Sequence, residues 1–194
     1  MPRNTKEKIV SASINLFNEL GQANVRLQQI ADEAGISVGN LAYHFKNKEA
    51  IVSRVYEDLF ADFSDLLSYY LHSPELKDFD AQLEKYHQFF NRYRFHLADL
   101  MSSRYEIGDS LKTWNDYANK LHAQIRMRIS FYEGKGYLTQ EATSGLYDQL
   151  AKNLWRTIFF SVPEANFRGL DLQVEDFKQE VWSQLQPYLT SSTT

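Results

Sequence analysis

Residues 27–45 have the sequence LQQIADEAGISVGNLAYHF, and this stretch decides the fold. It contains two short helical patterns, at 27–34 and 38–45, separated by a sharp turn at Gly35. Ser37 stands where an N-cap residue is expected for the second of these helices. The spacing predicts a compact helix–turn–helix unit of two short helices.

The same helical period extends to both sides of this unit. Upstream, residues 5–20 are predicted to form one amphipathic helix that ends at Gly21. Downstream, Asn47 can cap a fourth helix that begins at Lys48 and is expected to reach Leu71. The apolar stripe of the first helix consists of Ile9, Ala12, Leu16, Phe17 and Leu20.

The remainder of the chain also shows the helical period, and no segment alternates as a strand would. A connector is expected at 72–80 and a break at 161–171, because each contains a proline among polar residues. Helices are predicted at about 81–93, 95–103, 111–133, 140–160 and 172–188. The sequence therefore predicts an all-α fold.

The composition of the 194 residues excludes several classes of protein. The chain has no cysteine, which excludes disulfides, zinc–thiolate sites and iron–sulfur clusters and is typical of a reducing, cytoplasmic setting. No apolar stretch is long enough to span a bilayer, and the N-terminus lacks the apolar segment of a secretory signal. We therefore expect a cytoplasmic protein without a membrane partner.

Charge and aromatic residues are distributed unevenly. The whole chain has a net charge of −4, but residues 1–50 contain 6 Lys/Arg and 5 Asp/Glu. Only three of the 28 aromatic residues precede residue 51. The N-terminal part is therefore the better candidate for an anionic partner, and the rest has the bulky side chains of a large core or a binding pocket.

The helix at 38–45 has residue types suited to reading DNA. Val38, Leu41, Ala42 and Phe45 are spaced to face the core of the module, which leaves the other side of the helix for a partner. In DNA-binding helix-turn-helix proteins this helix enters the major groove, where an asparagine amide can pair with adenine and a glycine allows close backbone approach. Spacing and charge alone leave a helix–turn–helix with a purely structural role as the alternative. The residues on that side are Gly39, Asn40, Tyr43 and His44.

Residues 9–52 resemble the DNA-binding module of the TetR family of bacterial transcriptional regulators. Three pieces carry the resemblance: the run from a small residue at Ser13 through Leu-Phe to Gly21, I-A-x-x-A-G-I-S-x-G at 30–39, and L-x-Y-H-F-K-N-K-E at 41–49. The resemblance covers about residues 5–60 without a gap in register. The length of the chain and its helical remainder also resemble that family.

The resemblance implies a role for individual residues. The start of the second helix approaches phosphate, the third helix contacts bases, and a lysine at the start of the fourth helix holds backbone phosphate. Arg26 departs from the usual small hydroxyl residue, so Asn24 is expected to take over the helix cap, and Ala42 stands where an aromatic residue is common. The residues expected to contact DNA are Arg26, Gln28, Ser37, Val38, Gly39, Asn40, Tyr43, His44 and Lys48.

The C-terminal helices carry two wide apolar stripes, which suit a four-helix bundle made by two copies of the chain. Packing within one chain is the alternative that the pattern leaves open. The residues predicted for the dimer interface are Leu150, Leu154, Trp155, Ile158, Phe177, Val181 and Leu185.

Aromatic residues on the middle helices suggest the site of a flat or hydrophobic effector. Ordinary core packing is the alternative for each of them. The candidate ligand-binding residues are Tyr86, Phe89, Phe90, Tyr93, Tyr105, Trp114 and Tyr117.

Two other classes of function compete with that of a DNA-binding regulator. An enzyme is disfavoured, because the one Glu-x-x-His pair, Glu84 with His87, has no second copy and no catalytic motif or metal-ligand spacing is present, so no cofactor or metal is expected. A helical adaptor that binds ligand or protein and has lost DNA binding remains the alternative.

The sequence thus predicts a ligand-responsive transcriptional regulator that acts as a repressor. It is expected to bind a palindromic DNA operator as a homodimer and to be released by a small-molecule effector. The expected organisation is a DNA-binding domain at 1–50 with its helix-turn-helix at about 26–45, a connecting helix at 51–71, and an effector-binding and dimerisation domain at 72–194.

Overall fold

The computed structural model describes residues 5–68, 75–96 and 108–190, and for 108–111 it describes the backbone only. These residues form two compact units. Unit 1 comprises residues 5–62 and 92–96, and unit 2 comprises residues 63–68, 75–91 and 108–190. The all-α fold predicted from the sequence is confirmed, since the described residues contain helices and one isolated β-bridge.

Unit 1 contains three helices and the first part of a fourth. They are α1, Thr5–Leu20; α2, Leu27–Glu33; α3, Val38–His44; and α4, Lys48–Ser68, of which 48–62 lie in unit 1. Helix α1 packs against α2 and α3, and α2 packs against α3. Their shared core includes the fully buried side chains of Ile9, Phe17, Ile30, Leu41, Ile51 and Val55.

The buried face of α1 differs from the predicted stripe. Phe17 is buried, as expected, but Leu20 is 42% exposed, so its assignment to the core was wrong. Val10 and Ile14 are buried in addition, because α1 packs against two helices and therefore covers a wider face than a single stripe. Leu20 is the last residue of α1, next to the turn at Gly21.

The turn between α2 and α3 depends on Gly35. Its φ angle is +68°, a left-handed conformation that favours glycine. The Gly35 N–H donates to the Asp32 carbonyl oxygen at 3.1 Å, and the Ile36 N–H donates to the Ala31 carbonyl oxygen at 3.0 Å. This pair of hydrogen bonds is a Schellman motif, which ends α2 and lets α3 begin three residues later.

Side chains satisfy the exposed N–H groups where these helices begin. The Ser37 hydroxyl accepts from the Asn40 N–H at 3.1 Å, and the Asn47 carboxamide oxygen accepts from the Ala50 N–H at 3.0 Å, as the sequence predicted. At α2 the N-cap residue is Arg26, whose N–H donates to the Gln29 carboxamide oxygen at 2.8 Å. The role predicted for Asn24 was wrong, because its amide donates instead to the Leu20 carbonyl oxygen.

Residues 92–96 pack within unit 1. The Asn18 amide donates to the Arg92 carbonyl oxygen, and its carboxamide oxygen accepts from the Phe95 N–H, both at 2.9 Å. The Phe95 ring meets the Phe17 ring edge-on with 5.5 Å between centroids. The module built from α1, α2 and α3 is therefore bound to a segment that lies beyond α4 in the sequence. Residues 97–103 of the helix predicted at 95–103 lie outside the described residues.

Unit 2 is built mainly from four helices. They are α5, Leu76–Arg92, of which 76–91 lie in this unit; α6, Gly108–Gly134; α7, Leu146–Phe167; and α8, Val174–Leu185. Helix α6 packs against α7, and α7 packs against α8. After α8 a short 3₁₀ turn at Gln186–Tyr188 leads to an isolated bridge between Leu138 and Leu189.

Helix α5 begins earlier than predicted, so that residues 76–80 of the expected connector are helical. The reason is the burial of Phe79, whose ring packs edge-on against Trp182 at 5.6 Å. The Glu75 carbonyl oxygen accepts hydrogen bonds from the N–H groups of Asp78 and Phe79 and completes the first turn. A buried aromatic residue thus overrides the polar composition around it.

Helix α7 begins and ends later than predicted. It starts after Gly145, whose φ angle is +88°, and it continues through Pro163 to Phe167, although a break was expected from residue 161. Burial of Val162 and Ala165 on either side of the proline offsets the hydrogen bond that Pro163 cannot donate. The helix then ends in a second Schellman motif at Gly169, with the Leu170 N–H donating to the Ala165 carbonyl oxygen.

None of the helices in the described part of the chain is long and apolar enough to cross a lipid bilayer.

Candidate functional site

Helix α3 presents an uncovered face in unit 1. Gly39, Asn40 and Tyr43 are exposed, with the Tyr43 side chain 85% accessible. His44 is half-buried, and its ring meets the Tyr43 ring edge-on at 5.2 Å. Leu41 and Phe45 are buried on the opposite side and fix the helix to the module. The structure therefore brings together the four residues that the sequence assigned to one face.

Ala42 does not face the core, as the spacing had predicted, but is exposed. Leu41 and Phe45 are four residues apart and share one narrow side of this two-turn helix, while Val38 is only half-buried. Ala42 is rotated by about 100° from Leu41 and so leaves the covered side. The accessible face of α3 is therefore one residue wider than expected.

The start of α2 carries two exposed polar side chains. Arg26 and Gln28 are both exposed. The Gln28 amide donates to the Asp32 carboxylate at 2.7 Å, an i to i+4 contact on the surface of α2. A contact of Gln28 with phosphate would therefore require this hydrogen bond to open, whereas Arg26 carries a full positive charge.

Lys48 lies at the first turn of α4, and its ammonium group donates to the Ala23 carbonyl oxygen at 3.3 Å. Partial burial lowers the pKa of Lys48, and the carboxylate of Glu49 opposes this shift. An ammonium group has three N–H donors, so the contact with Ala23 does not exhaust them. Lys48 is thus held at the junction of α4 with the segment between α1 and α2.

The structure also shows one lysine and one capping residue in this module that the sequence did not single out. Lys46 is exposed between α3 and α4, two residues from Lys48. Gln29 caps α2 through Arg26, a role that its position three residues into the helix could have indicated. Ser37 and Val38 contribute in different ways, since the Ser37 hydroxyl is engaged in the cap and Val38 is half-buried.

In unit 2 most of the candidate ligand-binding aromatic residues form one cluster of rings. Phe63 of α4 lies at the centre, with its ring centroid 4.9 Å from Phe89 and 5.3 Å from Trp114. The cluster continues through Phe159 to Trp155 on α7. We call it the aromatic cluster; it consists of Phe63, Phe89, Phe90, Trp114, Tyr117, Trp155 and Phe159.

Tyr86 is buried in a polar network on the same unit. The Gln82 amide donates to the Tyr86 hydroxyl oxygen at 3.0 Å, and the Gln82 carboxamide oxygen accepts from Arg128 at 2.7 Å. Burial raises the pKa of the Tyr86 hydroxyl, and the Arg128 guanidinium partly opposes this shift. Arg128 is 3% exposed, and its guanidinium lies 4.7 Å from the centroid of the Phe79 ring.

Besides Tyr86, two more of the predicted ligand-binding residues are not part of the aromatic cluster. Tyr93 lies in unit 1, where its hydroxyl donates to the Asp62 carboxylate at 2.6 Å. Burial and this hydrogen bond raise the pKa of the Tyr93 hydroxyl. Tyr105 lies outside the described residues.

Six of the seven residues predicted for a dimer interface are buried inside unit 2, and Trp155 is half-buried. Packing within one chain, the alternative that the sequence left open, therefore accounts for these side chains. On α7 the exposed large apolar side chains are Phe160, 38% accessible, and Phe167, 93% accessible. The six buried residues are Leu150, Leu154, Ile158, Phe177, Val181 and Leu185.

His87 of the Glu84–His87 pair takes part in packing between α5 and the segment before α8. Its Nε2 atom lies 2.7 Å from the Leu172 carbonyl oxygen, to which it donates, and its ring contacts Phe177 at 5.6 Å.

Comparison with known proteins identifies the N-terminal module. Residues 9–55 match the sequence model of the family described as bacterial regulatory proteins, tetR family. The uncharacterized HTH-type transcriptional regulator YerO of Bacillus subtilis is 49% identical over 47 residues, which cover 24% of this chain and 16% of YerO. The chain thus spans only a small part of the length of this relative.

Solved structures match over nearly the whole chain. A TetR-family transcriptional regulator from Marinobacter aquaeolei is 26% identical, with a TM-score of 0.75 over 97% of this chain and 93% of that one. SmeT, the repressor of a multidrug efflux pump of Stenotrophomonas maltophilia, has a TM-score of 0.66 at 18% identity, covering 99% of this chain and 94% of SmeT. The second likeness concerns the fold alone.

Proposed function

We propose that this chain, whose residues 9–55 match the tetR-family model, is a transcriptional regulator that binds a palindromic operator as a homodimer and responds to a small-molecule effector. The observation that carries the proposal is the uncovered face of α3, with Gly39, Asn40 and Tyr43 exposed on a helix-turn-helix. Repression is the expected sign, and SmeT, which shares the fold, is a repressor.

Recognition of DNA follows from the residue types on this face. The Asn40 amide offers one donor and one acceptor, which match the N6 and N7 edge of adenine in the major groove. Tyr43 and His44 supply rings and polar atoms for thymine methyl groups or phosphate. Arg26 and Lys48 supply positive charge at the flanks of α3, where the DNA backbone passes. The helix reads bases, and the flanking cations fix its position.

Gly39 gives a test that separates binding from stability. A Cβ atom at this position would lie 3.9 Å from the Ser37 hydroxyl oxygen, an ordinary contact, and the φ angle is normal for a helix. Because alanine favours a helix over glycine, Gly39→Ala should leave the free energy of unfolding unchanged or raise it by up to about 1 kcal/mol.

The same substitution should weaken operator binding, because the added methyl group holds the backbone of α3 away from the groove. Chemical denaturation and fluorescence anisotropy with labelled operator would measure the two effects. Operator affinity equal to that of the wild type would contradict close backbone approach at Gly39.

Lys48→Ala should weaken binding to all DNA sequences alike. A variant that makes one phosphate contact fewer releases one counterion fewer when it binds DNA. The magnitude of the negative slope of log K against log salt concentration should therefore decrease by about one unit. Lys135→Ala, which removes an exposed lysine of unit 2, is the matched control and should leave the slope unchanged. An unchanged slope for Lys48→Ala would remove Lys48 from the DNA interface.

A dimer is part of the proposal because a palindromic operator presents two half-sites about one helical turn apart. The residues available for pairing on α7 are those on its exposed side, of which Phe160 and Phe167 are the large apolar ones. A four-helix bundle formed by α7 and α8 of two chains is the arrangement we propose. Sedimentation of the protein with and without operator duplex would give the stoichiometry.

Effector binding is proposed for the aromatic cluster of unit 2. A structure of SmeT in complex with triclosan shares the fold of this chain, with a TM-score of 0.60. We propose that an effector favours a spacing of the two α3 helices that no longer matches successive major grooves. Helix α4 is the proposed lever, since its residues belong to unit 1 up to Asp62 and to unit 2 from Phe63.

The lever can be tested with spin labels on the α3 helices of the two protomers. We expect the distance between the labels to change when effector lowers operator affinity. A loss of affinity at constant distance would refute the lever.

The test of the function as a whole is the salt dependence of binding to DNA fragments selected from the source genome. A regulator should bind selected fragments with a steep negative salt slope and prefer them over random duplex. The alternative function, an adaptor without DNA binding, requires that no fragment is enriched and that the slope is flat.

A further inference from the structure

Four buried side-chain atoms of unit 2 have no hydrogen-bond partner among the described residues, and two of them are amide atoms, Oε1 of Gln124 and Nδ2 of Asn166. The other two are ring nitrogens on helices that pack together. They are Nε2 of His122 on α6 and Nε1 of Trp155 on α7. A buried donor or acceptor without a partner costs about 1–3 kcal/mol, and the indole N–H of a buried tryptophan usually finds an acceptor. The unsatisfied atoms therefore need a source of hydrogen bonds outside these residues.

The register of α6 and α7 places the two atoms on facing sides. Arg126 of α6 hydrogen-bonds Asp148 of α7, and at the other end of the pair the Trp114 and Phe159 rings lie 5.3 Å apart. His122 is one turn from Arg126 on the same side of α6, and Trp155 is two turns from Asp148 on the same side of α7. Along this antiparallel pair the two residues differ in height by about 5 Å.

The surroundings of Trp155 are aromatic. Its indole stacks on the Phe159 ring with 5.4 Å between centroids, and Phe159 in turn contacts Trp114 and Phe90. A ligand that reaches the indole N–H would therefore place its remaining surface against rings. Flat aromatic groups suit such a wall, because offset and edge-on ring contacts add to the burial of apolar area.

We propose that His122 and Trp155 bind the hydroxyl group of a phenol-type effector. Its oxygen accepts from the Trp155 indole N–H, and its O–H donates to Nε2 of His122 in the tautomer protonated at Nδ1. A phenolic hydroxyl satisfies both atoms with one group, whereas an ether satisfies only the indole and a hydrocarbon satisfies neither. This inference rests on the proposed effector-binding function and names the chemical class of the effector.

Three probes of nearly equal size test the hydroxyl directly: naphthol, methoxynaphthalene and methylnaphthalene. Isothermal titration of the full-length protein should show naphthol binding about 10- to 100-fold more tightly than methylnaphthalene, with methoxynaphthalene between them. Equal affinity for naphthol and methylnaphthalene would overturn the proposal and assign the two atoms to ordered water.

Variants test the two residues separately. Trp155→Phe retains a ring but removes the N–H, and it should lower naphthol affinity by about tenfold while methylnaphthalene affinity stays the same. His122→Phe should have a similar effect on naphthol. Trp182→Phe is the matched control, because the Trp182 indole donates to Asp80 at 3.0 Å and should not affect the naphthol preference.

A naphthol preference that survives both Trp155→Phe and His122→Phe would overturn the proposal. If either variant fails to fold, the ratio of affinities of the three probes for the wild type decides. The salt slope of DNA binding, measured without any probe, keeps this test distinct from that of the proposed function. A flat salt slope together with a strong naphthol preference would exclude DNA binding but support the hydroxyl site, now in an adaptor. A steep salt slope without a naphthol preference would support DNA binding and exclude only the hydroxyl site.

Discussion

Replacing Asn40 with alanine should lower affinity for the preferred operator by roughly ten- to a hundredfold, since a bidentate contact with a base contributes about 1–3 kcal/mol. Asn40 is exposed on α3, and its backbone N–H, not its side chain, is engaged by the Ser37 hydroxyl. The substitution therefore removes the amide without removing the helix cap. Sequence preference should be lost at one position of each half-site and retained at the others.

Competition binding against operators with single base-pair changes would measure this effect. Asn15→Ala, which removes an exposed amide from α1, is the matched control and should leave both affinity and preference unchanged. If the Asn40 variant discriminated every base pair as well as the wild type does, direct readout by Asn40 would be excluded.

Replacing Phe17 with alanine should lower the free energy of unfolding of unit 1 by about 3–5 kcal/mol. The Phe17 ring is 1% exposed and contacts Phe95, so the substitution leaves a cavity between α1 and the segment at 92–96. Urea unfolding followed by far-ultraviolet circular dichroism, together with amide hydrogen exchange in α1, would report the loss.

Leu20→Ala is the control on the same helix. Because Leu20 is 42% exposed, its truncation should change the free energy of unfolding by no more than about 0.5 kcal/mol. Comparable destabilisation by the two substitutions would show that the end of α1 is covered in solution and would contradict the core described for unit 1.

The contrast between Phe17 and Leu20 shows what the sequence could predict about the fold. Helical period places both residues on one stripe, and it correctly indicates that α1 is amphipathic. Which residues of the stripe are covered depends on where α2 and α3 lie, and that is tertiary information. Ala42 on α3 resembles Leu20, because the helical period places it on the core side although it is exposed. A two-turn helix buries too narrow a face to include it.

Local chemistry predicted the helix ends well where a side chain of the expected type was present. Ser37 and Asn47 cap their helices as expected, and Gly35 makes the predicted turn. At Pro163 the prediction of a helix break was wrong. The break follows from the local preference of proline, but burial of Val162 and Ala165 keeps α7 continuous. Tertiary packing overrides a residue's own preference when enough apolar area is covered.

The candidate sites differ in how far the sequence could define them. The face of α3 depends on four residues of one short helix, so the period and the resemblance sufficed to place Gly39, Asn40, Tyr43 and His44 together. The aromatic cluster joins α4, α5, α6 and α7, which come from distant parts of the chain. No local pattern could show that Tyr93 belongs to unit 1 or that Leu150 and Phe177 face the core of their own chain.

The central claim is that α3 lies in the major groove of the operator. Benzoylphenylalanine installed at position 43 and irradiated in the complex tests this contact directly, with position 167 as a control that is 93% exposed in unit 2. We predict crosslinks from position 43 to bases at two places about one helical turn, roughly 34 Å, apart and none from position 167. Absence of crosslinks from position 43 to a fragment that the protein binds would contradict it.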